Sequence, residues 1–345
     1  MNRFKKITAL LLCLCMIFSL TGCQKQETVS TSEEEKAEEK IQIGMSFDSF
    51  VIERWQRDRD IFVTTAKELG AEVNVQTANG EIEEQIAQIE YFIDKGVNLI
   101  VIVAIDAEAL SNVVSKAKKA GIKVMCYDRV IKNANADLYI SFDNEKVGEL
   151  MAQAIYGAVG EDKKVITICG PESDFNVNMV GNGFDKVSEE YNAEIIGTIK
   201  CNGWRAETAY DYISDNVDIA EQADAIMCGN DSLAGEAIKA LSEIRLAGKI
   251  PVVGQDAELE ACQRIVEGTQ LMTVYKPVER LAKAAAEYAV KLASSEDIGE
   301  TDVFNDGTYD IPYVKLDPIA VDKDNIDETI IDTEFHLKDE VYLNE

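Results

Sequence analysis

The sequence predicts an α/β protein whose parallel sheets form two similar lobes. Three observations point there. Short β-branched runs alternate with amphipathic stretches of 12–16 residues along most of the chain, and such alternation specifies parallel sheets covered by helices. The alternation starts afresh after Asp143. From Ile41 onward the chain is 305 residues long, a length at which a single core usually divides in two.

In the first series, "IQIGMSF" (41–47), "AEVNVQTA" (71–78) and "NLIVIVAI" (98–105) are strands, each followed by a helix: Arg54–Leu69, Ile82–Lys95 and Ala107–Ala120. "KVMCYDR" and "DLYISFD" add two more strands up to Asp143. The second series opens with a helix over "NEKVGELMAQAIYGAV" (144–159). Strands "KVITICG", "AEIIGTIKC" and "DAIMCGND" then precede helices over Asn176–Tyr191, Ala206–Val217 and Leu233–Ala247, and "IPVVGQD" and "LMTVYK" close it. The repeat is one of architecture; the residues show no self-similarity. "NLIVIVAI" is the most apolar run after the N-terminus, and its eight residues suit a buried strand, since a membrane-spanning helix needs roughly 20.

The N-terminus reads as a secretory leader. "MNRFKK" is basic, the run from Ile7 to Leu20 is apolar, and "LTGC" ends at Cys23. That ending resembles the lipobox of bacterial lipoproteins, which implies cleavage after residue 22 and lipidation of Cys23. Residues 23–40 are polar and acidic and bury too little surface to order themselves; they read as a tether. The expected location is the extracytoplasmic face of the cell membrane, held there by the lipid.

The formal net charge is −29, and loss of a leader carrying three cations and no anions leaves −32. Nucleic-acid binding is excluded, because it requires a basic footprint. Five cysteines follow Cys23, widely spaced and without a CxxC pair, so no zinc site is expected. Cys126, Cys169 and Cys228 fall in apolar strand runs, where a buried thiol is the plain reading. No cofactor is expected either.

Functional residues are sought at the carboxyl ends of the strands, where open parallel sheets bind ligands. "FDSF", "YDR", "CGPESD", "CNGW", "CGND", "GQD" and "VYK" all fall there. They supply Arg54, Asp128, Arg129, Asp174, Asn176, Asn230, Asp256 and Lys276, with Trp204 and Phe50 as aromatics. Three cations against three carboxylates suit a neutral ligand rich in hydroxyls, since each hydroxyl donates and accepts. A flat aromatic face packs on the C–H face of a sugar ring. Arg57 and Arg59 are read as structural or surface residues, Trp55 as a cap on the core. In "GND", Asn230 is assigned to the ligand and Asp231 to the helix cap.

"IGMSFDSFVIERWQRDRDIF", "YDRVIKNANADLYISFDNEKVGEL", "GND", "GQDAEL" and "GTQLMTVYKP" closely resemble the bacterial D-xylose-binding proteins of ABC transporters, from Ile41 to about His336. The resemblance implies the type I periplasmic-binding-protein fold: two Rossmann-like lobes joined by a three-strand hinge. It places the ligands on Arg54, Asp128, Arg129, Asn230, Asp256 and Lys276, the stacking ring on Trp204, and further contacts on Asp174 and Asn176. Phe50 is added as a second apolar wall. The hinge crossings are expected near Phe142, Lys276 and Gly307. Residues 41–141 and 277–308 then form one lobe, and 142–276 and 309–345 the other. A monomer serving an ABC permease is implied; the alternatives are a sensor signalling to a membrane histidine kinase, or a binding protein for another aldose.

An enzyme is disfavoured. GxSxG, GxxxxGK and HExxH are absent. Each candidate carboxylate has a cationic neighbour, unlike the raised-pKa acid of a glycosidase. The sole histidine, His336, lies far along the chain from every strand-end motif. "DKDNIDET" lacks the glycine of an EF-hand loop. A sugar-responsive repressor would carry a helix-turn-helix where the leader stands.

Overall fold

A computed structural model describes residues 40–343. The leader, Cys23 and nearly all of the tether lie outside the described residues. In chain order the main elements are β1 (Gln42–Phe47), α1 (Arg54–Glu68), β2 (Glu72–Thr77), α2 (Ile82–Lys95), β3 (Leu99–Ile102), α3 (Ser111–Lys119), β4 (Lys123–Tyr127) and β5 (Leu138–Phe142). There follow α4 (Asn144–Val159), β6 (Lys164–Cys169), α5 (Phe175–Glu190), β7 (Glu194–Lys200), α6 (Glu207–Asp215), α7 (Val217–Ala220), β8 (Ala225–Cys228) and α8 (Asp231–Glu243). The chain ends with β9 (Val252–Gln255), α9 (Leu259–Glu267), β10 (Met272–Tyr275), α10 (Val278–Ala293), β11 (Asp302–Asn305), β12 (Asp310–Leu316), β13 (Ile319–Asp322) and α11 (Lys338–Val341).

Two sheets result, ordered β11-β12-β5-β4-β3-β1-β2 and β13-β10-β9-β8-β6-β7. Pairing is parallel except at β11–β12 and β10–β13. Helices cover the strands, and runs such as "LIVI" of β3, buried throughout, read as continuously apolar for that reason. The two lobes predicted from the alternation are present. Helix α9 was not anticipated, although Ala261, Cys262 and Ile265 form its buried stripe and Gly268, at φ 84°, ends it. Helix α3 begins four residues later than expected, and α8 begins two residues earlier.

One boundary differs. The expected third crossing near Gly307 would put residues 309–325 in the second lobe. Instead β12 lies parallel to β5 in the first sheet, with Tyr313 opposite Tyr139 and their rings stacked at 4.7 Å. Ile311 and Tyr313 are buried there, so the apolar face of "DIPYVKL" decides its sheet. The chain crosses after Leu316, and β13 then pairs with β10. The other two crossings, between β5 and α4 and between β10 and α10, fall near Phe142 and Lys276. The first and third are tied: Asp143 N donates to Leu316 O at 2.9 Å, and Lys315 pairs with Asp143 at 2.9 Å.

Candidate functional site

The strand ends of both lobes converge on one cavity. Arg54, Trp55, Asp128, Arg129 and Lys276 line it with Asn144, Asp174, Asn176, Trp204, Gln255 and Asp256. Eight of the ten residues expected at the site are among these. Phe50 is not: the chain turns after β1, and its ring packs on Phe47 at 5.1 Å with Arg59 above it at 5.2 Å. Asn230 is not a lining residue either, because its Oδ1 accepts from Leu233 N at 2.9 Å as the N-cap of α8. The cap that the sequence reading gave to Asp231 therefore falls to Asn230.

Arg54 opens α1 at the mouth of β1, and its burial requires immediate neutralisation. Its Nε and Nη2 donate to both oxygens of Asp58, one turn on, at 3.1 and 2.8 Å, and Nη1 donates to Asp128 at 2.9 Å. The Tyr127 hydroxyl also donates to Asp58, at 2.5 Å. Burial pushes the Asp58 carboxyl up despite Arg54 and Tyr127. Burial also opposes the charge of Asp128, yet Arg54, Lys276 and Arg129 together hold its carboxyl below the usual range.

Asp128 sits at φ 61°, a conformation disfavoured for residues with a Cβ. Three side chains donate to its carbonyl: Ser141 at 2.7 Å, Tyr139 at 3.2 Å and Asn176 at 3.2 Å. Arg129 extends from the same turn to Asp48 at 2.7 Å and to Asp174, across the cleft, at 2.8 Å. Burial raises the Asp174 carboxyl even with Arg129 beside it. Lys276 approaches Asp256 Oδ1 at 2.8 Å without hydrogen-bond alignment. With Asp48 and Asp58 included, the buried network holds three cations and five carboxylates, so the balanced set read from the sequence becomes an acidic one. Asp58 was detectable from its i+4 spacing to Arg54; Asp48 follows β1 directly.

The aromatic walls come one from each lobe. Trp204, at φ 57° on a single 3₁₀ turn, lies flush on the backbone at Gly170, where an added Cβ would fall 2.3 Å from Cζ2. Its Nε1 donates to Asp174 at 3.3 Å. Trp55, expected only as a core cap, also lines the cavity, with the Arg54 guanidinium 4.6 Å from its ring centre. Its i+1 position to Arg54 at a strand end was the available signal.

The lobes are closed on one another. Besides Arg129–Asp174 and Asn176–Asp128, Ala107 N donates to Ser173 O at 2.9 Å. Arg57, read as a structural or surface residue, reaches the C-terminal segment. It donates to Phe335 O at 3.1 Å and stands 4.2 Å over the Phe335 ring. His336 is close to a strand-end motif after all, with Nε2 2.8 Å from Ala257 O, next to Asp256.

Among the described residues, seven buried side-chain nitrogen or oxygen atoms lack a hydrogen-bond partner, and five belong to cavity-lining residues. Trp55 Nε1 and Arg129 Nη2 are donors; Asn176 Oδ1, Gln255 Oε1 and Asp256 Oδ1 are acceptors. Buried polar groups are normally paired, so five in one place mark a site for a ligand that both donates and accepts. The five described cysteines are free, and among the described residues no cluster of histidine, cysteine and carboxylate side chains fits a metal ion.

Residues 43–297 match the family model described as "Periplasmic binding protein domain". The chain belongs to this family. It is 46% identical to a D-xylose-binding periplasmic protein of Haemophilus influenzae over 308 residues, 88% of this chain and 92% of that one. A D-xylose-binding periplasmic protein of Escherichia coli is 42% identical over 97% of this chain and all of its own length. Among solved structures, an ABC transporter solute-binding protein of Clostridium phytofermentans with bound β-D-glucose superposes with a TM-score of 0.78. It is 25% identical over 87% of this chain and 99% of its own.

Proposed function

We propose that this protein captures D-xylose in the cleft between its lobes and delivers it to an ABC permease without altering it. The observation that carries the reading is the mixed set of unpartnered buried donors and acceptors between two indoles. A pyranose offers that set what it needs: hydroxyls that donate and accept at the rim, and apolar C–H faces for Trp55 and Trp204. The excess of buried carboxylate disfavours anionic ligands. Arg54, Asp128, Arg129, Asp174, Asn176, Asp256 and Lys276 would hold the hydroxyls, and Asn230 has Nδ2 as its remaining donor. The relatives named D-xylose-binding support the choice of sugar.

The same reading places the protein outside the cytoplasm as a monomer, tethered by a lipid on Cys23. Mass spectrometry of the membrane fraction tests this, with Cys23→Ser expected to release the protein. For the sugar, intrinsic tryptophan fluorescence is titrated with xylose, ribose, arabinose, glucose and galactose. D-xylose is expected to bind at about micromolar or tighter dissociation constant, roughly −8 kcal/mol, and to be recovered unchanged. Silence toward every aldose would end the sugar reading, and a stronger response to glucose would end only the assignment to xylose.

A further inference from the structure

Asp231 has no part in the cavity, yet its surroundings are built around it. It is fully buried, and its carboxylate accepts three hydrogen bonds: from Gln270 Nε2 at 2.7 Å, Thr273 Oγ1 at 2.6 Å and Glu258 N at 3.1 Å. Gly254, in "GQD", makes the seat possible, because a Cβ there would stand 2.1 Å from Asp231 Oδ1. These bonds converge on the segment that bears Asp256. Asp256 and Ala257 have φ of 93° and 53°, two consecutive left-handed residues with side chains, an arrangement that persists only where its surroundings enforce it. Thr273 Oγ1, while donating to Asp231, accepts from Ala257 N at 3.1 Å. The next amide, Glu258 N, goes to Asp231 directly.

We infer that Asp231, acting through Thr273, is a positioning residue that holds the left-handed Asp256–Ala257 turn and so aims the Asp256 carboxylate into the cleft. The inference rests on Asp256 being a ligand-binding residue, as proposed above. It also accounts for the strings "GND" and "GQD" together: the aspartate of the first is clasped by the glycine of the second, and the aspartate of the second does the binding.

An amide cannot replace this carboxylate. Asn at 231 would turn a donor toward a donor at one of its two ends. At the first end Gln270 cannot reverse, because its Oε1 accepts from Arg264 Nε at 3.0 Å and its Nε2 also serves Met272 O. At the other end the amide would face Glu258 N and force Thr273 to turn away from Asp231.

The test measures D-xylose affinity of the full-length protein by calorimetry for Asp231→Asn, Thr273→Val, Thr273→Ser and Asp256→Asn, and for Asp231→Asn combined with Asp256→Asn. Asp231→Asn and Thr273→Val should each weaken binding by roughly tenfold or more while unfolding stays cooperative. Thr273→Ser should restore it, because the hydroxyl is kept. Amide exchange at Ala257 and Glu258 should quicken in the first two variants. In the Asp256→Asn background, Asp231→Asn should cost almost nothing further. Full affinity in Asp231→Asn and Thr273→Val, or losses that simply add to that of Asp256→Asn, would overturn the inference. An Asp256→Asn protein that binds normally would instead overturn the ligand assignment on which it rests. Should Asp231→Asn fail to fold, Thr273→Val and its serine counterpart decide the matter alone.

Discussion

Replacing Arg54 with methionine separates the structural role of the cleft network from its role in binding. The guanidinium is 4% exposed and Asp58 not at all, so the variant leaves a carboxylate without its counter-ion in the interior. Breaking a buried pair on one side typically costs about 3–5 kcal/mol, a large part of a domain's usual 5–15 kcal/mol. Asp128 suffers less, since Lys276 and Arg129 still favour its charge. The double variant Arg54→Met/Asp58→Asn removes the stranded charge and keeps an acceptor for the Tyr127 hydroxyl. It should regain more than half of the lost stability without regaining affinity for D-xylose. Acidification offers a second check. With Arg54 gone, burial is the main influence left on Asp58, and its folded pKa rises further above the unfolded value of about 3.9. The folded state then takes up the proton first, so the penalty is full at neutral pH and shrinks as pH falls through that raised value. Guanidinium unfolding at pH 7.5 and pH 5 measures both effects. A single variant within about 1 kcal/mol of the parent, or a double variant no more stable than the single, would refute this account of the network.

Arg57→Ala removes the clasp on Phe335 and should speed D-xylose dissociation a few-fold, about 1 kcal/mol, with association little changed; stopped-flow fluorescence reads both, and an unaltered dissociation rate would show that the clasp does not hold the closed state. Gly170→Ala places a methyl group where the Trp204 indole lies, so sugar affinity should fall at least tenfold while the far-UV spectrum is kept; binding at parental strength would mean the indole is not a fixed wall. His336 should contribute to the acid limb of stability. Burial, against the pull of the Ala257 carbonyl, holds its imidazole below the ordinary value. The unfolded chain therefore protonates first, and the stability this group contributes is complete above about pH 6.5 and declines as pH falls. Urea midpoints between pH 7.5 and 5 should drop less steeply for His336→Gln than for the parent, and parallel curves would contradict the assignment.

The sequence alone determined what depends on neighbours a few residues apart. Strand and helix periods are local, and so are the polar residues that punctuate strand ends; both lobes were legible on that basis, and eight of the ten residues expected at the site line one cavity. Trp55 and Asp58 lie next to and one turn on from Arg54 and were readable by spacing, though Trp55 was read as a core cap and Asp58 was given no role. Only the tertiary structure decided which distant groups share a buried environment. Arg54 meets Asp128 across 74 positions, and His336 meets Ala257 across 79. No local period records that β12 belongs beside β5, because its apolar face would suit either sheet until Tyr139 supplies the partner ring. That Asn230 and not Asp231 caps α8 has the same origin. Either can cap a helix, and the choice was made by Gly254, Gln270 and Thr273, which leave room and donors for a carboxylate at 231.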